Sequence, residues 1–421
     1  MVTRLLSRWS AAALAGVALV TGACLWTPTA TRCDLHYRLA EVDCVRRSVD
    51  PFRVWNEEVT LKPYYSNNPS RRAVPEGCTE MISVYAPWEY ALMLPLAVCG
   101  REAAWWIFSA LSFAAFALVA CVAGNVARKE FAPAEATLCA TLPLLVVAHA
   151  AWSNVQVGNH MAIVLLSSVL LAHCLNRGKD VWAGVCWAMM MVKPQIGLVF
   201  AIPILMRARV VTAVVAVAVC LLLSVYPALQ CQTSLVDLVL EPARASAFAF
   251  EGCGTWPRFL CGTPPAEGDI RAGLLVGAAT CAALTALVRR ERDWFVFLMP
   301  AAITSCCWTY TQAYSHAMGW FVAFVLVREL LRRPQSRFLW ALAALAACSL
   351  SRGFLAWHGL VAFAGWTFPL SDYAFRCWDS LNSTLSLGLA AALCVWLRRR
   401  LPFFGIMPPN ERRTSHDRIG I

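Results

Sequence analysis

Apolar runs long enough to cross a hydrocarbon layer recur from one end of this chain to the other, and most of its charge falls in the short gaps between them. One helical crossing takes about 20 apolar residues. Inside a bilayer only helices and closed barrels satisfy their own backbone groups, and the alternating pattern of barrel strands is absent here. The composition agrees: 59% of residues are hydrophobic and 14% charged, where soluble domains carry roughly 25% charge. The fold class expected is all-α, a polytopic transmembrane helix bundle.

The apolar segments run over 9–26, 86–99, 103–126, 134–151, 159–175, 181–206, 209–227, 271–288, 293–309, 314–331, 337–350, 353–370 and 382–397. Basic connectors lie between them, among them Arg128-Lys129, Arg207/Arg209, Arg289-Arg290/Arg292 and Arg398-Arg399-Arg400. The excess of basic residues on cytoplasmic loops places these connectors, and the N-terminus, in the cytoplasm. The expected location is therefore a cell membrane, crossed about eleven to twelve times, in a single domain over 1–400 with outer loops 27–85 and 228–270 and a polar cytoplasmic tail over 401–421. The segment Met1–Trp26 reads as a first helix or as a cleaved signal peptide, and the hydrophobicity of the rest favours the helix. The stretch 86–99 is short and carries Pro95, which suits an interfacial or re-entrant helix.

The net charge of +11 is accounted for by those connectors. No basic stripe with stacking aromatics accompanies it, so nucleic acid is not an expected partner. Of 19 cysteines, most stand singly in apolar runs, where Cys behaves as a small hydrophobe. No C-x-x-C pair occurs, so neither a zinc ribbon nor a redox motif is supported. Cys33, Cys44, Cys78, Cys231, Cys253 and Cys261 fall in the two polar loops, where disulfides are possible and their pairing is not readable. No P-loop, G-x-G-x-x-G, H-E-x-x-H or Asp-x-Asp is present, so neither a metal nor another cofactor is expected.

Four groups of residues are candidates for chemistry. From Asp34 to Val49 the apolar residues Leu35, Leu39, Val42, Val45 and Val49 share a helical face, with His36, Glu41, Asp43, Arg46 and Arg47 around it. This predicts an amphipathic helix on the membrane surface in the first outer loop. Spacing alone makes Asp34 its N-cap; the sharper reading makes it a general base at the membrane boundary. The second group, Ser153 to His160, offers the amides Gln156 and Asn159 to a sugar or phosphate, or is an ordinary polar loop. The third is Lys193, followed by Pro194 in the middle of 181–206, a segment with basic connectors at both ends. Two half-length helices would form a hairpin there, and a Lys at depth is a site by default. The fourth runs from Trp308 to His316, aromatic and polar, suited to a belt at the interface or to a sugar site.

In this order the groups resemble glycosyltransferase family 87, membrane-embedded enzymes of the C superfamily that include polyprenyl-phosphate-mannose mannosyltransferases and an arabinofuranosyltransferase. Cys33-Asp34-Leu35-His36-Tyr37 with Asp50-Pro51-Phe52 matches the family's first outer helix. Tyr85-Ala86-Pro87 with Leu94-Pro95-Leu96 looks like its Tyr-Pro-Pro segment. Val155-Gln156-Val157-Gly158-Asn159 is similar to its Gly-Gln-x-Asn turn with the order altered, and Ala183-Gly184 with Lys193-Pro194 to its Ala-Gly…Lys-Pro. Ser305-Cys306-Cys307-Trp308-Thr309-Tyr310 echoes a Ser-Pro-x-x-Trp-Asp/Glu-His segment, with Thr309 and Tyr310 replacing the acid and the His, and His316 the nearest substitute. The resemblance covers nearly the whole chain. It implies transfer of one sugar, mannose or another hexose or pentose, from a polyprenyl-phosphate donor to a glycan or glycolipid acceptor on the outer face, with inversion. Asp34 would be catalytic, and Lys193, Gln156, Asn159, Tyr37, Tyr85, Trp308 and His316 would bind substrate. Membrane lipids are the remaining expected partners. The competing reading is a transporter or flippase of lipid-linked saccharides; the absence of an internal repeat argues mildly against it.

Overall fold

The computed structural model describes residues 33–51, 86–240, 267–306, 313–350 and 372–400. Every regular element among them is helical. Helix α1 covers Cys33–Arg46, α2 Pro87–Ala97, α3 Arg101–Ala127, α4 Pro133–Val146, α5 Ala148–Val157, α6 Met161–Asn176 and α7 Asp180–Met190. Helix α8 runs over Pro194–Met206 with a 3₁₀ turn at Leu198–Phe200. Helix α9 is Val210–Cys231, α10 Glu267–Leu287 and α11 Trp294–Ser305. A 3₁₀ segment, Ala313–Gly319, leads into α12 at Trp320–Arg332, followed by α13 at Arg337–Leu350 and α14 at Asp372–Arg400.

Two of these helices, α3 and α9, are long and apolar enough to cross a membrane. At 1.5 Å per residue they reach about 40 and 33 Å, against about 30 Å of hydrocarbon. Several of the other apolar segments form helices of 10–17 residues. The run 134–151, expected as one crossing, divides into α4 and α5 at Val147, after Pro143 in the last turn of α4. A proline there removes a ladder hydrogen bond and crowds the preceding turn. The segments 9–26 and 353–370 lie outside the described residues, as do the tail 401–421 and most of both outer loops.

The segment around Lys193 folds as a hairpin. Helix α7 rises from Asp180, the chain turns over Met191–Lys193, and α8 returns to Arg207. Both of its ends reach the start of α9: Asp180 pairs with Arg209 at 3.2 Å and accepts from the Thr212 hydroxyl at 3.2 Å. Gly184 allows α7 to lie against α9, because a Cβ there would stand 2.6 Å from Val215 Cβ and 2.7 Å from the Thr212 carbonyl oxygen. Two indoles fix the tip. Trp88 donates to the Met191 carbonyl at 2.9 Å, and Trp187 to the Gly197 carbonyl at 2.8 Å.

Helix α1 departs from the surface-lying helix expected of it. Leu35, Leu39, Val42 and Val45 are buried as the pattern requires, but Arg38 and Glu41 are buried too. The helix packs on α2, α3, α5 and α9 rather than on one flat boundary. The two charges tolerate this because they neutralise each other in an i, i+3 ion pair at 2.5 Å. Arg46 in its last turn and Arg47 just beyond it are exposed. Cys231 is a free thiol, so the disulfide possibility does not extend to it; Cys78, Cys253 and Cys261 lie outside the described residues.

The opposite end of the bundle is tied by charge. Arg328 on α12 binds Glu130, after α3, at 2.6 Å and also Asp293. Arg332 binds Glu130 and Glu329. Asp293 caps α11 by accepting from Phe295 N–H at 3.0 Å, and it accepts from Asn176 at the end of α6 at 2.9 Å.

Candidate active site

The site is assembled around the turn between α5 and α6. Helix α5 ends in a Schellman motif: Asn159 N–H donates to the Asn154 carbonyl at 2.9 Å and Gly158 N–H to Val155 at 3.2 Å. Gly158 takes φ +73°, a left-handed conformation that glycine adopts without strain. It also lies directly against α1, where an added Cβ would stand 2.5 Å from Leu35 Cβ and 3.2 Å from Leu35 N. The turn therefore meets the first turn of α1, which carries Asp34.

Asn159 makes the joint specific. Its side-chain oxygen accepts from Met161 N–H at 3.2 Å, at the start of α6. Its amide nitrogen is thereby turned outward and donates to Asp34 Oδ2 at 2.6 Å. Hydrogen bonds to a carboxylate are about twice as strong as neutral ones, so this one fixes the orientation of the Asp34 side chain. Asp34 is half-buried and reachable. Tyr37 is half-buried three residues on, a spacing that puts both on neighbouring positions of one helix face.

Lys193 stands at the tip of the α7–α8 hairpin, 1% exposed. The carboxylates that act on its ammonium are Asp34 and Glu89. A buried ammonium requires such compensation, and the hairpin delivers this one to the place where α1 and α2 converge. The structure thus brings Asp34, Asn159 and Lys193 together from three separate parts of the chain.

Glu89 is the residue that sequence reasoning missed. It sits in the first turn of α2, 1% exposed. His160 Nδ1 stands 3.4 Å from its Oε1. Among the described residues neither carboxylate oxygen receives a hydrogen bond, and Arg38 and Lys193 act on it electrostatically. His160 is held at its other nitrogen, 3.2 Å from Met93 Sδ, and packs edge-on to Phe108. The signal available in the sequence was the one that singled out Lys193: an ionisable side chain within an apolar stretch.

The other expected residues are placed as follows. His316 is fully buried in the 3₁₀ segment, which packs on α5, α6 and α11. Gln156 belongs to α5, in the turn before Gly158, but its side chain is outside the described set. Tyr85 and Trp308 lie outside the described residues. Among the described residues no group of three or more His, Cys, Asp and Glu side chains is arranged to hold a metal ion. What remains is one half-buried carboxylate oriented by an amide, one buried cation on which its charge acts, and a second buried carboxylate acting on the same cation: a set with the groups needed to take a proton and to receive an anion.

Comparison with known proteins agrees with this architecture. No curated protein and no solved structure matches the chain. The model of glycosyltransferase family 87 matches residues 84–307, just over half of the chain. The matched span includes Glu89, Asn159, His160 and Lys193, and it excludes Asp34 and His316. With the turn, the hairpin and the long apolar helices all inside that span, the chain belongs to glycosyltransferase family 87.

Proposed function

We propose that this glycosyltransferase takes its sugar from a polyprenyl-phosphate donor and passes it to a hydroxyl of a glycan or glycolipid at the outer face of a cell membrane, as a multi-pass protein with its basic connectors in the cytoplasm. What supports the reading is the Asn159-bound carboxylate of Asp34, whose charge acts on the buried ammonium of Lys193. Asp34 accepts the proton of the acceptor hydroxyl. The acceptor oxygen forms a bond to the anomeric carbon as the bond from that carbon to the donor phosphate breaks on the opposite side, which inverts the centre. The phosphate leaves with the bonding pair, and Lys193 stabilises its charge in a cleft of low polarity, where such an interaction is worth most. The sugar is mannose or another hexose or pentose. Tyr37, Gln156, Asn159, His316, Tyr85 and Trp308 are the side chains assigned to binding it.

The test uses purified protein in detergent with radiolabelled polyprenyl-phosphate mannose. The wild type consumes the donor and Asp34→Asn does not, while both bind polyprenyl phosphate equally. Donor moved across a reconstituted bilayer but never consumed would assign a carrier instead, and full activity in Asp34→Asn would remove the base.

A further inference from the structure

At the far end of α6 from Asn159, about 24 Å along the helix, a cavity of about 440 Å³ opens between the ends of α6, α8 and α11. Its lining includes Arg207, Arg209, Arg289, Arg290 and Arg292, against the single carboxylate of Glu291. A solvated basic connector leaves its side chains pointing apart into water; here two connectors bring five arginines to the lining of one concavity.

Two of the five are held in place. Arg207 lies over the rings of Trp294 and Phe297, at 4.6 and 3.6 Å from their centroids, and donates to the Glu291 carbonyl. Arg209 is fixed by Asp180. Arg289, Arg290 and Arg292 form an exposed rim. Guanidinium groups fork onto phosphate oxygens in pairs, so a floor of fixed arginines with an exposed arginine rim has the form of a receptor for a phosphate monoester or diester.

The surroundings select the kind of phosphate. One residue beyond Arg209, Val210, Val214, Val217 and Leu221 begin a stripe along α9, each more than 40% exposed. Leu205 and Met206, at the end of α8, are equally bare. The cavity therefore stands at the head of an apolar track that a fatty-acyl chain would cover. We infer that this cavity binds the headgroup phosphate of an anionic phospholipid, with an acyl chain laid along α9. It is a second lipid site, separated from Asp34 and Lys193 by the length of α6, and it does not depend on what those residues do.

The experiment measures binding and thermal unfolding of the full chain in mixed micelles containing phosphatidylglycerol, phosphatidylcholine or neither, and with inorganic phosphate alone. Arg289→Gln/Arg292→Gln removes two rim charges; Arg398→Gln/Arg399→Gln removes two exposed charges at the end of α14 as a control for diffuse attraction. Phosphatidylglycerol is expected to bind and stabilise the wild type and the control, and to bind the rim variant at least ten-fold more weakly. Equal binding of phosphatidylcholine, equal losses in the two variants, or stabilisation by inorganic phosphate to the same degree would each overturn the assignment.

Discussion

The side-chain amide of Asn159 donates to Asp34 across 125 residues of sequence, at 2.6 Å. Asp34 opens α1 and Asn159 opens α6, so a single bond registers the first helix of the site against a helix of the central bundle. Asn159→Ala removes a hydrogen bond to a charged acceptor, worth about 1.5–3 kcal/mol. The turnover number is expected to fall roughly ten- to hundred-fold. Asn159→Asp sets a second carboxylate against the first. Two carboxylates at that distance share a proton, so the acid limb of the pH–rate profile moves to higher pH. Steady-state kinetics over a pH series checks both.

Gly158→Ala attacks the same joint through its backbone. The new Cβ meets Leu35 Cβ, which cannot swing aside as the end of a flexible side chain would. The left-handed conformation costs about 1–2 kcal/mol for a residue with a side chain and the overlap about 1–3 more. Thermal unfolding should register a loss of about 3 kcal/mol, and transfer should fall with it.

Lys193→Met removes the cation that faces Asp34 and Glu89. Removing one partner from buried charges typically costs about 3–5 kcal/mol, so the variant is expected to unfold at lower temperature and to lose donor binding by more than ten-fold. Adding Glu89→Gln should recover much of the stability, because one stranded carboxylate becomes neutral. It should recover no donor binding, because the phosphate still lacks its cation. A double-mutant cycle with both readouts separates the two roles.

Acid should loosen the end of the bundle that holds Asp293. Burial alone would raise its carboxyl, but the Arg328 guanidinium, helped by hydrogen bonds from Asn176, Arg328 and Phe295 N–H, holds it below the usual carboxylate range. Arg207 faces it from the α8–α9 turn and adds to the attraction. A depressed acid contributes stability that is complete above the unfolded value, about 3.9, and that disappears as pH falls through the folded one. The melting temperature should drop on acidification below about pH 4, and Asp293→Asn should start lower and show a smaller drop. Differential scanning fluorimetry in detergent measures it.

How much of this was legible varies with the kind of pattern. Helical periodicity over Leu35, Leu39, Val42 and Val45 identifies α1, because one face is apolar whichever partner covers it. It says nothing of Arg38 and Glu41, whose burial depends on their finding each other. The charge and proline at 193–194 announce a break, and the basic connectors on both sides announce a return, so the hairpin follows from local signals. Glu89 was passed over because Pro87 and Trp88 read as the lead-in to a membrane segment; its meaning comes from His160, Arg38 and Lys193, none of which is near it in sequence. The Arg328–Glu130 bond joins residues 198 apart, and in the sequence each is only one charge in a connector.

The tip-and-base construction of the α7–α8 hairpin makes the position of Lys193 a matter of counting. Asp180 anchors the base, and 11 residues of α7 lift the chain to the turn. Each residue of a helix turns the chain by about 100° and advances it 1.5 Å. One residue inserted between Ala183 and Trp187 would swing the ammonium a quarter-circle away from Asp34 with little change in height. A full turn added would restore its bearing and lift it several ångströms. The length of this short helix thus fixes where the ammonium stands, and composition could drift around it more freely than length.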